Sequence, residues 1–369
     1  MRLLLCTAGL LGAAMLMAGS AGAAEYVLIG DQSPTVDASL VSYQYASLGG
    51  CGDSADLVGC ECGSAIGDCC GDLGDCGQSC GMSGGCGSCC GCNSCCGHDC
   101  WLTKFLVPSD HCYDDFISPI TNPVYFEDPR TLTEVRFIYL HHQIPSAAFG
   151  GHVNLIAVQL RAALTENLSI IATKDGFATS TSPLIDDGWA DVAAGLKYNL
   201  YKDPFNQRIL SAGLTYEMPV GSTRTLQGSG DGVFDIFLTG GTQFGCNNHF
   251  LSTSGFLLPA DKSAESSIWF WSNHVDHRIA GTKWYVLGEM NWYHYMSSGK
   301  AFTGAPIEGG DLFNLGTVGV AGNDIVTGAL GVKYKPSSHM ELGFAWETPL
   351  TERRDVLQNR ITVDCIFRY

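Results

Sequence analysis

The chain has 369 residues, 46% of them hydrophobic and 15% charged, with a formal net charge of −17. That acidic balance, without any basic stripe, excludes a nucleic-acid partner. The length would allow two or three ordinary domains, although an all-β barrel of more than about 200 residues commonly forms one.

Residues 1–24 read as a secretory signal. Arg2 supplies a minimal basic start, Leu3 to Met17 a short apolar core, and Ala21-Gly22-Ala23 a small-residue cleavage site. The apolar run is short for a spanning helix, and no later segment offers about 18 uninterrupted apolar residues. An exported chain without such a helix can still cross a membrane by closing a β-barrel, because closure pairs every backbone N–H and C=O within the protein.

Residues 25–50 are a polar lead-in. Residues 51–112 form a Cys/Gly-rich, irregular segment holding fifteen of the eighteen cysteines: Cys51, Cys60, Cys62, Cys69, Cys70, Cys76, Cys80, Cys86, Cys89, Cys90, Cys92, Cys95, Cys96, Cys100 and Cys112. In an oxidising compartment these would form disulfides, stapling a stretch too poor in Leu, Ile and Phe to build a core. The Cys-X-X-Cys spacings Cys86/Cys89, Cys89/Cys92 and Cys92/Cys95 would alternatively suit Zn²⁺ or Cu⁺. The compartment favours disulfides. The odd count leaves at least one thiol for Cys246, Cys365 or another chain, so crosslinking to the cell envelope is an expected interaction. Residues 113–130, with Pro108, Pro119, Pro123 and Pro129 around and within them, read as a linker to a barrel at 131–369.

From Thr131 onward strict alternation takes over. In 188–200, Ala190, Val192, Ala194, Leu196, Tyr198 and Leu200 share one face, while Trp189, Asp191, Ala193, Gly195, Lys197 and Asn199 share the other. In 209–218, Leu210, Ala212, Leu214, Tyr216 and Met218 oppose Ser211, Gly213, Thr215 and Glu217. Across the tight turn at Pro336-Ser337-Ser338, Met340, Leu342, Phe344 and Trp346 oppose Glu341, Gly343, Ala345 and Glu347. A soluble sandwich would place its bulky apolar residues inside and its charges outside. Here the polar face is small and charged, as a wet barrel interior requires, and the bulky face suits outer-membrane lipid.

The pattern predicts an all-β fold, a closed antiparallel transmembrane barrel of about 12 strands. They run approximately over 133–143, 152–164, 168–175, 188–200, 208–218, 233–244, 248–256, 265–273, 283–295, 324–335, 339–347 and 359–369. Expected lumen-lining residues are Arg161, Asp191, Lys197, Glu217, Asp235, Glu289, Asn291, Lys333, Glu341, Glu347, Asp364 and Arg368. The last strand carries Ile361, Val363, Cys365, Phe367 and Tyr369 on one face, and it should pair with the first to close the ring. Its terminal aromatics Phe367 and Tyr369 resemble the signal read by the bacterial barrel-assembly machinery, an expected partner.

Gly188-Trp189-Ala190-Asp191, Gly195-Leu196-Lys197-Tyr198, Met218-Pro219-Val220-Gly221-Ser222 and Gly228-Ser229-Gly230 together resemble a family of bacterial outer-membrane proteins. That family is described as transporters or as the MetA pathway of phenol degradation, and is similar to the long-chain fatty-acid transporter group. The resemblance covers about residues 130–369 and implies uptake of hydrophobic or aromatic small molecules.

The glycine-rich 228–232 stretch lacks the Lys-Ser/Thr ending of a phosphate-binding loop. His141, His142, His274, His277 and His294 carry no local signature of a barrel phospholipase or protease, so no catalytic residue and no cofactor is expected. Glu289 and Asn291, between Trp284 and Trp292, suit a lumen wall. The expected function is an outer-membrane channel or transporter for small solutes. The alternative is a structural or adhesive envelope barrel anchored through its cysteines. A continuous wet lumen would favour the first, and a narrow or plugged one the second.

Overall fold

A computed structural model describes residues 106–369. The expected signal, the lead-in and all of the cysteine-rich segment except its end therefore lie outside the described residues.

The alternating stretches form β1 (Glu134–Gln143), β2 (His152–Ala163), β3 (Leu168–Lys174), β4 (Phe177–Ser180), β5 (Gly188–Trp189), β6 (Val192–Asp203) and β7 (Arg208–Met218). They continue as β8 (Val233–Phe244), β9 (Asn248–Pro259), β10 (Ser267–Arg278), β11 (Trp284–Ser297), β12 (Asp324–Ser337), β13 (Met340–Pro349) and β14 (Asn359–Arg368). Neighbours in sequence pair antiparallel, and β14 returns to β1 over the register Glu134↔Arg368 to Gln143↔Asn359. β2 pairs with β3 at one end and β4 at the other, so β3 and β4 make one interrupted stave. β5 and β6 make another, which gives a closed ring of twelve. Closure leaves no sheet edge, and this is what lets strands cross hydrocarbon.

The outer surface is the bulky face of the alternation. Leu330, Ile156, Leu196, Phe344 and Phe367 are exposed, whereas Lys197, Lys333, Glu341 and Asp364 on the opposite face are buried. Exposed Trp189, Trp284, Trp346, Tyr198 and Tyr369 add aromatic side chains to that surface. A ring with an apolar exterior and a charged interior is a multi-pass β-barrel of the outer membrane. The connections at 164–167, 204–207, 245–247, 279–283 and 338–339 are short and share one end with both termini of the described chain; those at 144–151, 181–187, 219–232, 260–266, 298–323 and 350–358 occupy the other. By the usual asymmetry of such barrels, the short turns face the periplasm.

Two breaks interrupt the wall side by side. At Asp175-Gly176 the ladder lapses, and the Asp175 carboxylate accepts the Val158 N–H at 2.9 Å in its place. Gly176 has φ 121°, and a Cβ there would stand 2.6 Å from the Ile156 carbonyl oxygen, so the close approach requires glycine. At Ala190-Asp191 the Asp191 carboxylate accepts the N–H groups of Gly221 at 2.8 Å and Gly228 at 2.9 Å. This second break corrects one sequence assignment: Trp189 is 66% exposed and points outward, because the irregularity shifts the alternation by one residue before Asp191 turns inward.

The stretch 113–130, expected to be a linker, lies inside the ring. It rises along the inner wall, reverses at a turn where Tyr125 and Phe126 donate backbone N–H groups to the Asn122 carbonyl, and descends to β1. Asp110 N–H donates to the Thr131 carbonyl at 2.9 Å where the two limbs meet. Tyr113, Phe116, Ile117, Ile120, Val124, Tyr125 and Phe126 along it are all buried. So many apolar side chains suit an interior, and their density is the sequence signal that this segment would not run through solvent.

Candidate functional site in the plugged lumen

The inward segment meets the barrel through charge. Glu127 accepts from Arg161 on β2 at 2.6 Å and from Lys197 on β6 at 2.7 Å. Arg161 also reaches Glu134 at 3.1 Å, and Glu134 accepts from Arg368 on the closing strand at 2.7 Å. Arg368 continues to Glu341, and Lys333 bridges Glu341 and Asp364 at 3.1 Å each. Arg136 reaches Asp364 at 2.8 Å. Within the segment, Asp128 and Arg130 pair at 2.7 Å, and Arg130 Nη1 donates to the Phe116 carbonyl, tying the two limbs together. Each ion in this web is buried, so its desolvation is offset only because nearly every carboxylate oxygen meets a donor.

Higher on the wall, Glu289 accepts the backbone N–H groups of Ile120 at 2.8 Å and Thr121 at 2.6 Å. Behind it His274 spans Glu289 at 2.7 Å and Asp276 at 3.1 Å, and Asp276 also meets His249 at 2.7 Å. Both His274 nitrogens therefore face carboxylate oxygens. Asn291 donates to Thr121 Oγ1 and to Glu347, each at 3.0 Å, and Glu347 accepts from Arg360 Nε at 2.8 Å. Apolar contacts complete the seat, with Ile117 and Ile120 against Tyr285, Leu287 and Ala345.

From the other end the long connection 298–323 folds over the opening. Its Glu308 accepts from Ser266 Oγ at 2.7 Å, Leu315 N–H at 2.9 Å and Thr317 N–H at 2.8 Å, and burial pushes that carboxyl upward in pKa. Asp311 pairs with Arg360 at 2.7 Å, while Leu312 and Phe313 pack against Leu140, Val153, Ala178 and Val356. Between the segment, this connection and the broken wall lies a cavity of about 30 Å³, lined by Val124, Val153, Leu155, Ala157, Ala178 and Phe313 with Gln159, Lys174 and Gln227. That is room for one or two waters.

All twelve expected lumen residues are buried on the inward face. Arg161, Lys197, Lys333, Glu341, Asp364 and Arg368 fall into the lower ionic web, and Glu289, Asn291 and Glu347 into the middle seat. Glu217 pairs with Lys174 at 2.6 Å, Asp191 secures the wall break, and Asp235 stands on β8 opposite Thr215. The sequence reading missed Glu134, Arg136, His249, Asp276 and Arg360 as members of the site, although the same alternation would have named them. It also missed Glu127, Asp128 and Arg130, which sit in a stretch without periodicity. Of the fifteen cysteines only Cys112 is described, near the start of the segment; its carbonyl accepts from Gln207 at 2.9 Å. The remaining fourteen, with their disulfide or metal readings, lie outside the described residues. Among the described residues no cluster of three or more His, Cys, Asp or Glu is placed to hold a metal ion. Phe367 and Tyr369 are exposed at the seam, where the Tyr369 N–H donates to the Thr133 carbonyl at 2.9 Å.

No protein-family model and no curated protein matches the chain. Among solved structures, it is similar to an outer membrane channel from Pseudomonas putida F1, with 10% identity, a TM-score of 0.48, and coverage of 69% of this chain and 100% of that one. It is also similar to a NanC porin, with 10% identity, a TM-score of 0.42, and coverage of 64% and 100%. A KdgM porin matches at 10% identity with a TM-score of 0.38, covering 63% of this chain and 99% of that one.

Proposed function

We propose that the chain is an outer-membrane channel for small solutes whose passage is governed by the inserted 113–130 segment. The observation that carries this reading is the chemistry of the surface under the segment. A permanently filled barrel would be served as well or better by apolar packing, since buried ion pairs are often no more stabilising than hydrophobic replacements of the same volume. Here the wall holds Arg161, Lys197, Glu289, Lys333 and Glu341. Water would wet such a surface if the segment moved aside.

The resemblance to the phenol-pathway transporter family supports hydrophobic or aromatic solutes, and Val124, Leu155 and Phe313 supply apolar surface where the segment meets the wall. The reading assigns no catalytic residue. A structural envelope barrel is the second reading, and the filled lumen favours it. Liposomes carrying the full chain separate the two. A channel should let phenol-sized solutes enter faster than they enter protein-free liposomes, with larger sugars excluded, whereas a structural barrel should leave permeability unchanged.

A further inference from the structure

The ionic web in the lower lumen is nearly balanced, but the upper lumen is not. Asp191, Glu217, Asp235 and Glu265 are all buried there. Glu217 acts on both Asp235 and Glu265 and is itself acted on by Asp191, and Lys174, paired to Glu217 at 2.6 Å, is the cation acting on Glu217 and Glu265. Asp191 has backbone donors, as described above. Asp235 is 5% exposed and Glu265 4% exposed, yet Asp235 Oδ1 and Glu265 Oε2 have no hydrogen-bond partner among the described residues. The charged groups acting on Asp235 are Glu217 and Glu127, which repel it. An anion so placed is costly unless something positive joins it.

Phe237 lies two residues from Asp235 on the same face of β8, in one buried cluster with Tyr125, Phe270, Tyr293 and Tyr295. Tyr293 is 2% exposed, and its hydroxyl is also unpartnered among the described residues. Tyr125 near the tip of the inserted segment stacks on Phe270 at 5.4 Å between centroids, and the carboxylates of Glu217, Asp235, Asp311 and Glu265 all act on it. Aromatic faces beside carboxylates form the chemistry that receives an ammonium group.

We propose that Asp235 and Glu265, with the aromatic wall of Phe237, Phe270 and Tyr293, form a binding site for a small organic ammonium ion, reached when the segment carrying Tyr125 withdraws. This rests on the channel reading and makes its solute an apolar amine rather than a neutral or acidic aromatic. Unpartnered carboxylate oxygens supply the attraction, and they would reject a carboxylate-bearing solute by the same field. In the connection 260–266, burial first and then Glu217, Asp191 and Asp261, against the opposing Lys174, push the Glu265 carboxyl up to about 8. Ammonium binding should therefore displace a proton from Glu265 and tighten as the pH rises through that value.

Calorimetric titration of benzylammonium chloride into the full chain in detergent tests the site. Expected are saturable binding, weakening of at least about tenfold in Asp235→Asn and in Glu265→Gln, and no change in Asp186→Asn, whose carboxylate is exposed in another connection. Benzyl alcohol and benzoate should not compete. The proposal is overturned if benzylammonium does not bind, if benzyl alcohol binds as tightly, or if both site variants bind like the parent. Gel mobility before and after boiling checks that Asp235→Asn folds, and Glu265→Gln, outside the strands, decides the matter if it does not. Potassium chloride conductance of the same preparation reads the channel separately. A barrel that never conducts defeats the channel reading and leaves the titration alone to decide the ammonium site.

Discussion

Glu127 joins two cations of the wall through one carboxylate, and its removal would leave Lys197 buried with only the Asp128 carbonyl to receive it. Breaking one partner of a buried pair costs about 3–5 kcal/mol. Glu127→Ala should therefore lower the unfolding midpoint in urea and detergent, whereas the exposed Glu352→Ala should not. Glu289→Ala has a different expected signature: it frees the Ile120 and Thr121 N–H groups and should loosen the segment, read as faster amide exchange over 117–125. The wall side of these contacts was legible in the sequence, because a period of two places Lys197, Glu289 and Lys333 on one face whatever they touch. The partner side was not. Glu127 and Arg130 lie in an irregular stretch, where neighbours are set by tertiary packing and no spacing announces them.

The inserted segment and the barrel wall are elements with opposite tolerances. Ala345 faces inward against Ile117 and Ile120, while the adjacent Phe344 faces lipid. Ala345→Arg should assemble, with its side chain displacing the segment, and should raise conductance. Phe344→Arg should impair assembly, since a cation on the lipid face costs about 2–4 kcal/mol near the midplane. If Phe344→Arg assembles normally and Ala345→Arg does not, the inward and outward faces are exchanged. The prolines at 119, 123 and 129 invited a linker reading of this element. They equally suit an irregular chain inside a barrel, where Lys333 and Asn199 use the Ser118 and Pro129 carbonyls as acceptors in place of a ladder.

The whole ring was the most legible level, because twelve alternating stretches and a closing strand leave few architectures that satisfy every backbone group. The filling of the ring was the least legible, since nothing local distinguishes a chain that passes beneath a barrel from one that enters it. The claim that joins these scales is that a wettable wall lies behind a removable segment. Single-channel recording in planar bilayers, comparing the full chain with the Glu127→Gln/Glu289→Gln pair, tests it most directly. The parent chain should be mostly closed with brief discrete openings, and the variant should stay open far longer at the same or greater conductance. Heat-modifiable parent and variant barrels that both leave the bilayer as silent as protein-free lipid would contradict it.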